Sequence, residues 1–215
     1  LHRLIRRQRQ MCIRDRYSVN ARKGGNVSPI PADHSQNLTG IWPKKVVNYK
    51  TVMSDAASGF TSVTYPFPVI RMADLYLMYA EALNEKGEDY ATVLPWIDMV
   101  RERSGLQGVK ESWDQYVGNS KYATQTGLRQ IIMQERRIEL AFEGHYFWDV
   151  RRWKTATTEL TQPLTGWKVR YGETDVDYYS ENLVLVRDFT PKMYFWPIDI
   201  GELRKDPNLV QNYGW

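Results

Sequence analysis

A chain of 215 residues with 42% apolar and 25% charged side chains has the make-up of a globular domain with a real core, and no apolar run reaches the 18 residues of a membrane-spanning helix. The net charge of +4 does not mark a nucleic-acid binder, because residues 1–16 hold six arginines against Asp15 and the rest of the chain carries a net −1. A single cysteine, Cys12, excludes an internal disulfide, and the three histidines, His2, His34 and His145, are scattered without the spacing of a zinc site.

Residues 1–16 follow neither a helical nor a strand period. They read as a leader foreign to the domain and disordered; the alternative is a basic arm for anionic lipid or nucleic acid. Cys12 follows Arg9-Gln10-Met11 and lacks the small residues that precede a lipidated cysteine. The domain is therefore expected over residues 17–215. Gly24, Gly25, Pro29, Pro31, Gly40 and Pro43 punctuate residues 17–66 as loop, with residues 46–49 as a short strand or loop floor.

From Pro68 the period becomes helical. Leu75, Tyr79, Ala82 and Leu83, with Met72 and Tyr76 beside them, form a stripe; Asp74, Glu81 and Glu85 lie off it, and Gly87 is the stop. A second helix is expected over residues 92–104 on Ile97 and Val100, with Leu94 beside them, Pro95 in its first turn and Gly105 at its end. Such a pair, about 35 residues long, has the size of one tetratricopeptide unit. Residues 111–122 read as a polar, aromatic-rich linker. A third helix follows over residues 126–143, on Leu128, Ile131, Ile132, Ile138, Leu140, Ala141 and Phe142. Gly144 breaks it, and a short fourth covers residues 146–154. After Pro163, residues 167–171, 183–189 and 193–196 read as extended, and residues 199–204 as a helical turn. The fold class is mainly α, with a small β hairpin region near the C-terminus.

Glu135, Glu139 and Glu143 are spaced by four and share a helical face, so they repel unless cations answer them. Arg71, Arg136, Arg151 and Arg152, together with Asp149, are the expected members of a structural ion-pair network, since a guanidinium holds a carboxylate with two parallel bonds. The catalytic alternative takes paired carboxylates as glycosidase acid and base, or His145 with Asp149 as an acid–base pair. Nearby arginines lower carboxylate pKa values, the wrong direction for a general acid. No phosphate loop, nucleophile elbow or calcium loop is present, so no catalytic residue, metal or cofactor is assigned. Sugars present apolar faces to aromatic rings. Trp42, Trp113, Tyr116, Trp167, Tyr178 and Tyr179, read as loop aromatics, are the candidate glycan contacts, while Trp148, Trp153 and Trp196 are expected in the core.

Four segments in order resemble the SusD/RagB family: residues 67–85 (FPVIRMADLYLMYAEALNE), residues 100–106 (VRERSGL), residues 135–153 (ERRIELAFEGHYFWDVRRW), and the end, residues 195–198 (FWPI) with 208–215 (NLVQNYGW). Tyr146 stands where that family often has arginine. The resemblance implies tetratricopeptide-like helix pairs with irregular loops. It implies a C-terminal fragment without the family's N-terminal half, signal peptide and lipid-anchored cysteine. It further implies a surface-exposed outer-membrane lipoprotein that binds an oligosaccharide or other nutrient, delivers it to a TonB-dependent transporter and performs no catalysis. The competing classes are a helical-repeat protein-interaction module and a glycan-degrading enzyme.

Overall fold

Arg71 holds an extended backbone (φ −120°, ψ 142°), and the first long helix, α1 (Met72–Lys86), starts immediately after it. The computed structural model describes residues 43, 45, 48, 50–53, 60–168, 172 and 174–215. They divide into two units, Pro43–Tyr146 and Phe147–Trp215. The leader at 1–16, the loop at 17–42 and Trp42 lie outside the described residues.

In the first unit a two-residue antiparallel ladder, β1 (Val52–Met53) on β2 (Phe60–Thr61), precedes α1. The helix buries Ala73, Leu77, Ala80 and Asn84, a stripe spaced by three and four. This is not the stripe the large apolar residues suggested: Met72, Leu75 and Tyr79 are exposed, and Asp74 is buried. Helix α1 is apolar on two sides, and the side with two alanines is the one that admits a close neighbour. That neighbour is α2 (Tyr90–Arg103), which buries Val93, Leu94, Ile97 and Val100. Gly87, at φ 88°, reverses the chain between the two helices in the left-handed region, where a side chain is strained. Helix α2 begins two residues before its expected start. Pro95 therefore sits in the second turn, where the carbonyl of Ala91 loses its helical donor.

The expected linker at 111–122 is instead a helix, α3 (Val109–Tyr116), followed by a 3₁₀ turn at Lys121–Ala123. A tertiary contact specifies it: the Asp98 carboxylate on α2 accepts from the Val109 backbone N–H at 2.7 Å. Tyr122 then enters the core and donates to Asp114 at 2.8 Å.

Helix α4 (Gln125–Glu139) supplies Leu128, Ile131 and Ile132 to the core shared with α1 and α2. Its start is fixed three ways. Thr124 Oγ1 accepts from Gly127 N at 3.1 Å; Asn84 Nδ2 donates to the Gln125 carbonyl at 3.2 Å; Gln125 Nε2 donates to the Asn84 carbonyl at 2.7 Å. The helix ends four residues before its expected stop. Phe142 (φ 65°) and Gly144 (φ 84°) turn the chain through left-handed backbone, and Phe142 is exposed rather than core.

The boundary between the units falls within α5 (His145–Arg152), after Tyr146. In the second unit Lys154, at φ 58°, ends that helix with Thr155 N donating to the Val150 carbonyl at 2.9 Å. After the single turn of α6 (Ala156–Glu159), β3 (Leu164–Trp167) pairs antiparallel with β4 (Glu181–Leu185), with a register shift between Leu164 and Thr165. The connection carries α7 (Asp175–Tyr178), capped by Thr174. Residues 193–196, expected extended, lie partly in a 3₁₀ turn (Pro191–Tyr194), because Pro191 pre-sets the turn's first dihedral. The last helix, α8 (Ile200–Lys205), is capped by Asp199. The Gln211 side chain brackets Ile198, accepting from its N–H and donating to its carbonyl, both at 2.9 Å, and Asn212 Nδ2 donates to the Trp196 carbonyl at 2.7 Å. The tail is thus tied back by amides at two consecutive positions.

A Cβ on Gly127 would stand 2.0 Å from the Lys121 carbonyl oxygen. Gly127→Ala is expected to destabilise the first unit by about 2–3 kcal/mol through this backbone clash. Urea unfolding followed by circular dichroism measures it, and a midpoint unchanged from wild type would contradict the packing described.

Candidate functional site

The first unit holds an ion-pair lattice and the second an aromatic face, and the residues singled out for chemistry divide between these and positions outside both.

Arg71 is itself the extended residue at the N-terminal cap of α1. Its Nε and Nη2 meet the two carboxylate oxygens of Glu143, each at 2.8 Å. Its Nη1 donates to Glu139 Oε1 at 2.8 Å and its Nη2 to the Glu139 carbonyl at 3.2 Å. Lys45 ion-pairs with Glu143 and donates to the carbonyls of Glu139 and Ala141. Arg103 reaches Glu139 at 2.6 Å, and Arg101 pairs with Glu135. One step deeper, Arg136 holds Asp74 at 2.9 Å, and both are buried. Two cations therefore close the C-terminal end of α4, where helix carbonyls lack partners and the dipole is negative.

The network expected from sequence forms around Arg71, Glu135, Arg136, Glu139 and Glu143. Three of its cations, Lys45, Arg101 and Arg103, were not picked out. Arg101 and Arg103 stand in the second motif, and their spacing from Gly105 at a helix end was the available signal. Asp149 and Arg152 bond each other at 2.8 Å within α5, in the second unit. Arg151 is a correction. It does not answer a glutamate but stacks on Phe147 and Phe189, 3.5 and 5.0 Å from the ring centres.

Glu143 and Glu135 shift in opposite directions. Burial pushes Glu143 up, but hydrogen bonds from Arg71 and Lys45 outweigh it and hold the carboxyl below its ordinary value. Glu135 moves the other way, because its burial exceeds what Arg101 returns. The expectation that nearby arginines lower carboxylate pKa values is met at Glu143 and reversed at Glu135. For Arg71, burial opposes the charge, yet Glu143 and Glu139 together raise its pKa. Among the described residues no cluster of three metal-ligating side chains occurs, and no helix is long and apolar enough to cross a membrane.

In the second unit Trp167 ends β3 and meets Tyr179 edge to face, with ring centres 5.5 Å apart. Trp167 is 38% and Tyr179 53% exposed, and beside them Lys168 Nζ bonds Asp177 at 3.1 Å. Tyr178 is a correction: it lies on α7, is 6% exposed, and supports Tyr179 from behind at 5.1 Å. Trp113 is another, since it lies on α3, packed against the core and under the ammonium of Lys121. Tyr116 is also helical but is 68% exposed. Trp148 and Trp196, assigned to the core from sequence, are 60% and 68% exposed. Both stand in motif segments, where a recurrent pattern was read as packing.

The model of the SusD family matches residues 12–215. This chain belongs to the SusD family. Two curated relatives from Formosa agariphila, SusD-like proteins P25 and P2, are 39% identical over 144 residues and 37% over 133, covering 67% and 61% of this chain. Among solved structures, a SusD-like protein of Bacteroides fragilis superposes with a TM-score of 0.61 at 28% identity over 80% of this chain, and BT4246 with 0.70 at 27% over 82%. This SusD family chain spans about a quarter of the length of those relatives: 23% and 26% of the two curated proteins, 30% and 28% of the two structures. The Tyr146 ring lies 4.8 Å under the guanidinium of Arg137.

Glu139→Gln removes a charge that two arginines share and is expected to cost about 1–3 kcal/mol, seen as a lower melting temperature. The Glu143→Gln variant tests the pH dependence. The folded pKa of Glu143 lies below its ordinary 4.5, so its stabilisation is full at pH 7 and is lost as the pH falls through that depressed value. Wild type should exceed Glu143→Gln in urea midpoint at pH 7, and the gap should close as the pH falls below the ordinary carboxylate value of 4.5. A gap independent of pH would show that Glu143 is not held as described.

Proposed function

We propose that the protein to which these residues belong is a lipid-anchored outer-membrane receptor that captures a glycan or related nutrient at the cell surface and passes it, chemically unchanged, to a TonB-dependent transporter. Membership of the SusD family over nearly the whole chain carries this reading. The chemistry of the described residues supports it. Glu135, Glu139 and Glu143 are each engaged by a cation that positions helices, which suits scaffolding better than proton transfer to a sugar. Trp167 and Tyr179 offer flat apolar rings beside the polar pair Lys168–Asp177, the combination that meets a sugar's C–H face and its hydroxyl edge. Tyr116 offers a further exposed ring in the first unit.

Affinity electrophoresis through gels cast with different polysaccharides tests the reading. A polysaccharide that retards the wild-type chain should retard Trp167→Ala and Tyr179→Ala with about tenfold weaker affinity, while their melting temperatures stay near wild type. Release of reducing sugar from the retarding polysaccharide, abolished by Glu135→Gln, would replace the receptor by an enzyme. Retardation undiminished in both aromatic variants would move the binding face elsewhere.

A further inference from the structure

Two half-buried arginines of the second unit, Arg151 and Arg187, are answered by no carboxylate among the described residues. The Arg151 guanidinium lies against Phe147 and Phe189 and donates from Nη1 to the Phe147 carbonyl at 3.1 Å, but its Nε is closed off from solvent and bonds to nothing. Arg187 reaches the Glu159 carbonyl with Nη2 at a long 3.4 Å, and its Nε is likewise buried and unbonded. Two hydroxyls share that condition, Thr155 Oγ1 and Thr190 Oγ1.

These four groups come from two short stretches, residues 151–155 and 187–190, which meet where Arg151 rests on Phe189. All four can donate a hydrogen bond, and two carry positive charge. Burial works against the charge on Arg151, lowering its pKa. A buried donor left unbonded costs free energy comparable to a lost hydrogen bond, and a buried charge without a counter-charge costs more. Water can satisfy the donors but leaves the charge uncompensated. The complement that meets both demands is a planar anion with several acceptor lone pairs, which a guanidinium grips through parallel N–H bonds.

We propose that Arg151 and Arg187, with the hydroxyls of Thr155 and Thr190, form a receiving site for a carboxylate group. The carboxylate belongs either to a sugar acid or to an acidic side chain, and the chemistry of the site is the same for both. The site does not depend on the aromatic face at Trp167.

The test follows the arginine Nε–H signals of the ¹⁵N-labelled 215-residue chain by NMR during titration with sodium glucuronate, sodium acetate and neutral methyl glucoside, at constant ionic strength. The signals of Arg151 and Arg187 are expected to move saturably with glucuronate and to stay still with methyl glucoside. Arg187→Met should weaken the response of Arg151 about tenfold. Glucuronate binding more tightly than acetate supports the site and assigns it to a sugar acid; equal binding supports it and assigns it to an acidic side chain. Absence of a saturable shift with either anion in the wild-type chain, a reading that needs no variant to fold, overturns the proposal. An unaltered Arg151 response in a folded Arg187→Met protein overturns it as well.

Discussion

One guanidinium ties the first unit together. Arg71 stands at the entrance of α1, yet its bonds run to the far end of α4, to two carboxylates and one main-chain carbonyl. Helix α4 stops at Glu139 because the turn beyond it swings Glu143 round to the same arginine, through left-handed backbone at Phe142 and Gly144. A non-glycine residue in that region is strained, and the bonds of Arg71 and Lys45 to Glu143 are what offset the strain. The apolar contacts of Leu77, Ile97 and Ile132 supply most of the driving force, but apolar contact is not directional. The arginine lattice fixes which ends meet.

The same logic recurs at the other end of the helix pair. Asn84 and Gln125 exchange side-chain-to-main-chain bonds, joining the last turn of α1 to the first of α4. Helices α1 and α4 are thus clamped at both ends by polar groups, with the apolar stripe between them. The buried Arg136–Asp74 pair crosses the same interface. Such buried polar contacts hold one arrangement and penalise neighbouring ones, because a shift leaves each group unpaired.

Much of this was legible from residue types and spacing. The long helices, the glycine stop at Gly87 and the glutamate ladder at 135, 139 and 143 were all visible, and the ordered motifs named the family. What was not legible depended on tertiary contact. The first N–H of α3 is bonded by Asp98, eleven residues before Val109, so the helix's own polar sequence read as linker. The buried stripe of α1 passes through Ala73 and Ala80 rather than the larger Leu75 and Tyr79, because the spacing of neighbouring helices rewards small residues. Lys45 lies 94 residues from the carbonyl it reaches on Glu139. The aromatic candidates separated by exposure, which composition does not reveal: Tyr178 turned inward while Trp148 and Trp196 turned out. Charge pairing was legible as a need but not as an assignment, which is why Arg151 was placed with the glutamates and stands instead on two phenylalanine rings.

Arg71 and Glu143 act on each other directly and so fix the end of α4 to the start of α1. A double-mutant cycle with Arg71→Met and Glu143→Gln, read by urea unfolding at pH 7, tests it most directly. The expected coupling free energy is about 1.5 kcal/mol or more, with the double variant far less destabilised than the sum of the two single changes. Additive effects, within about 0.5 kcal/mol, would contradict it and leave the apolar core alone to set how these helices meet.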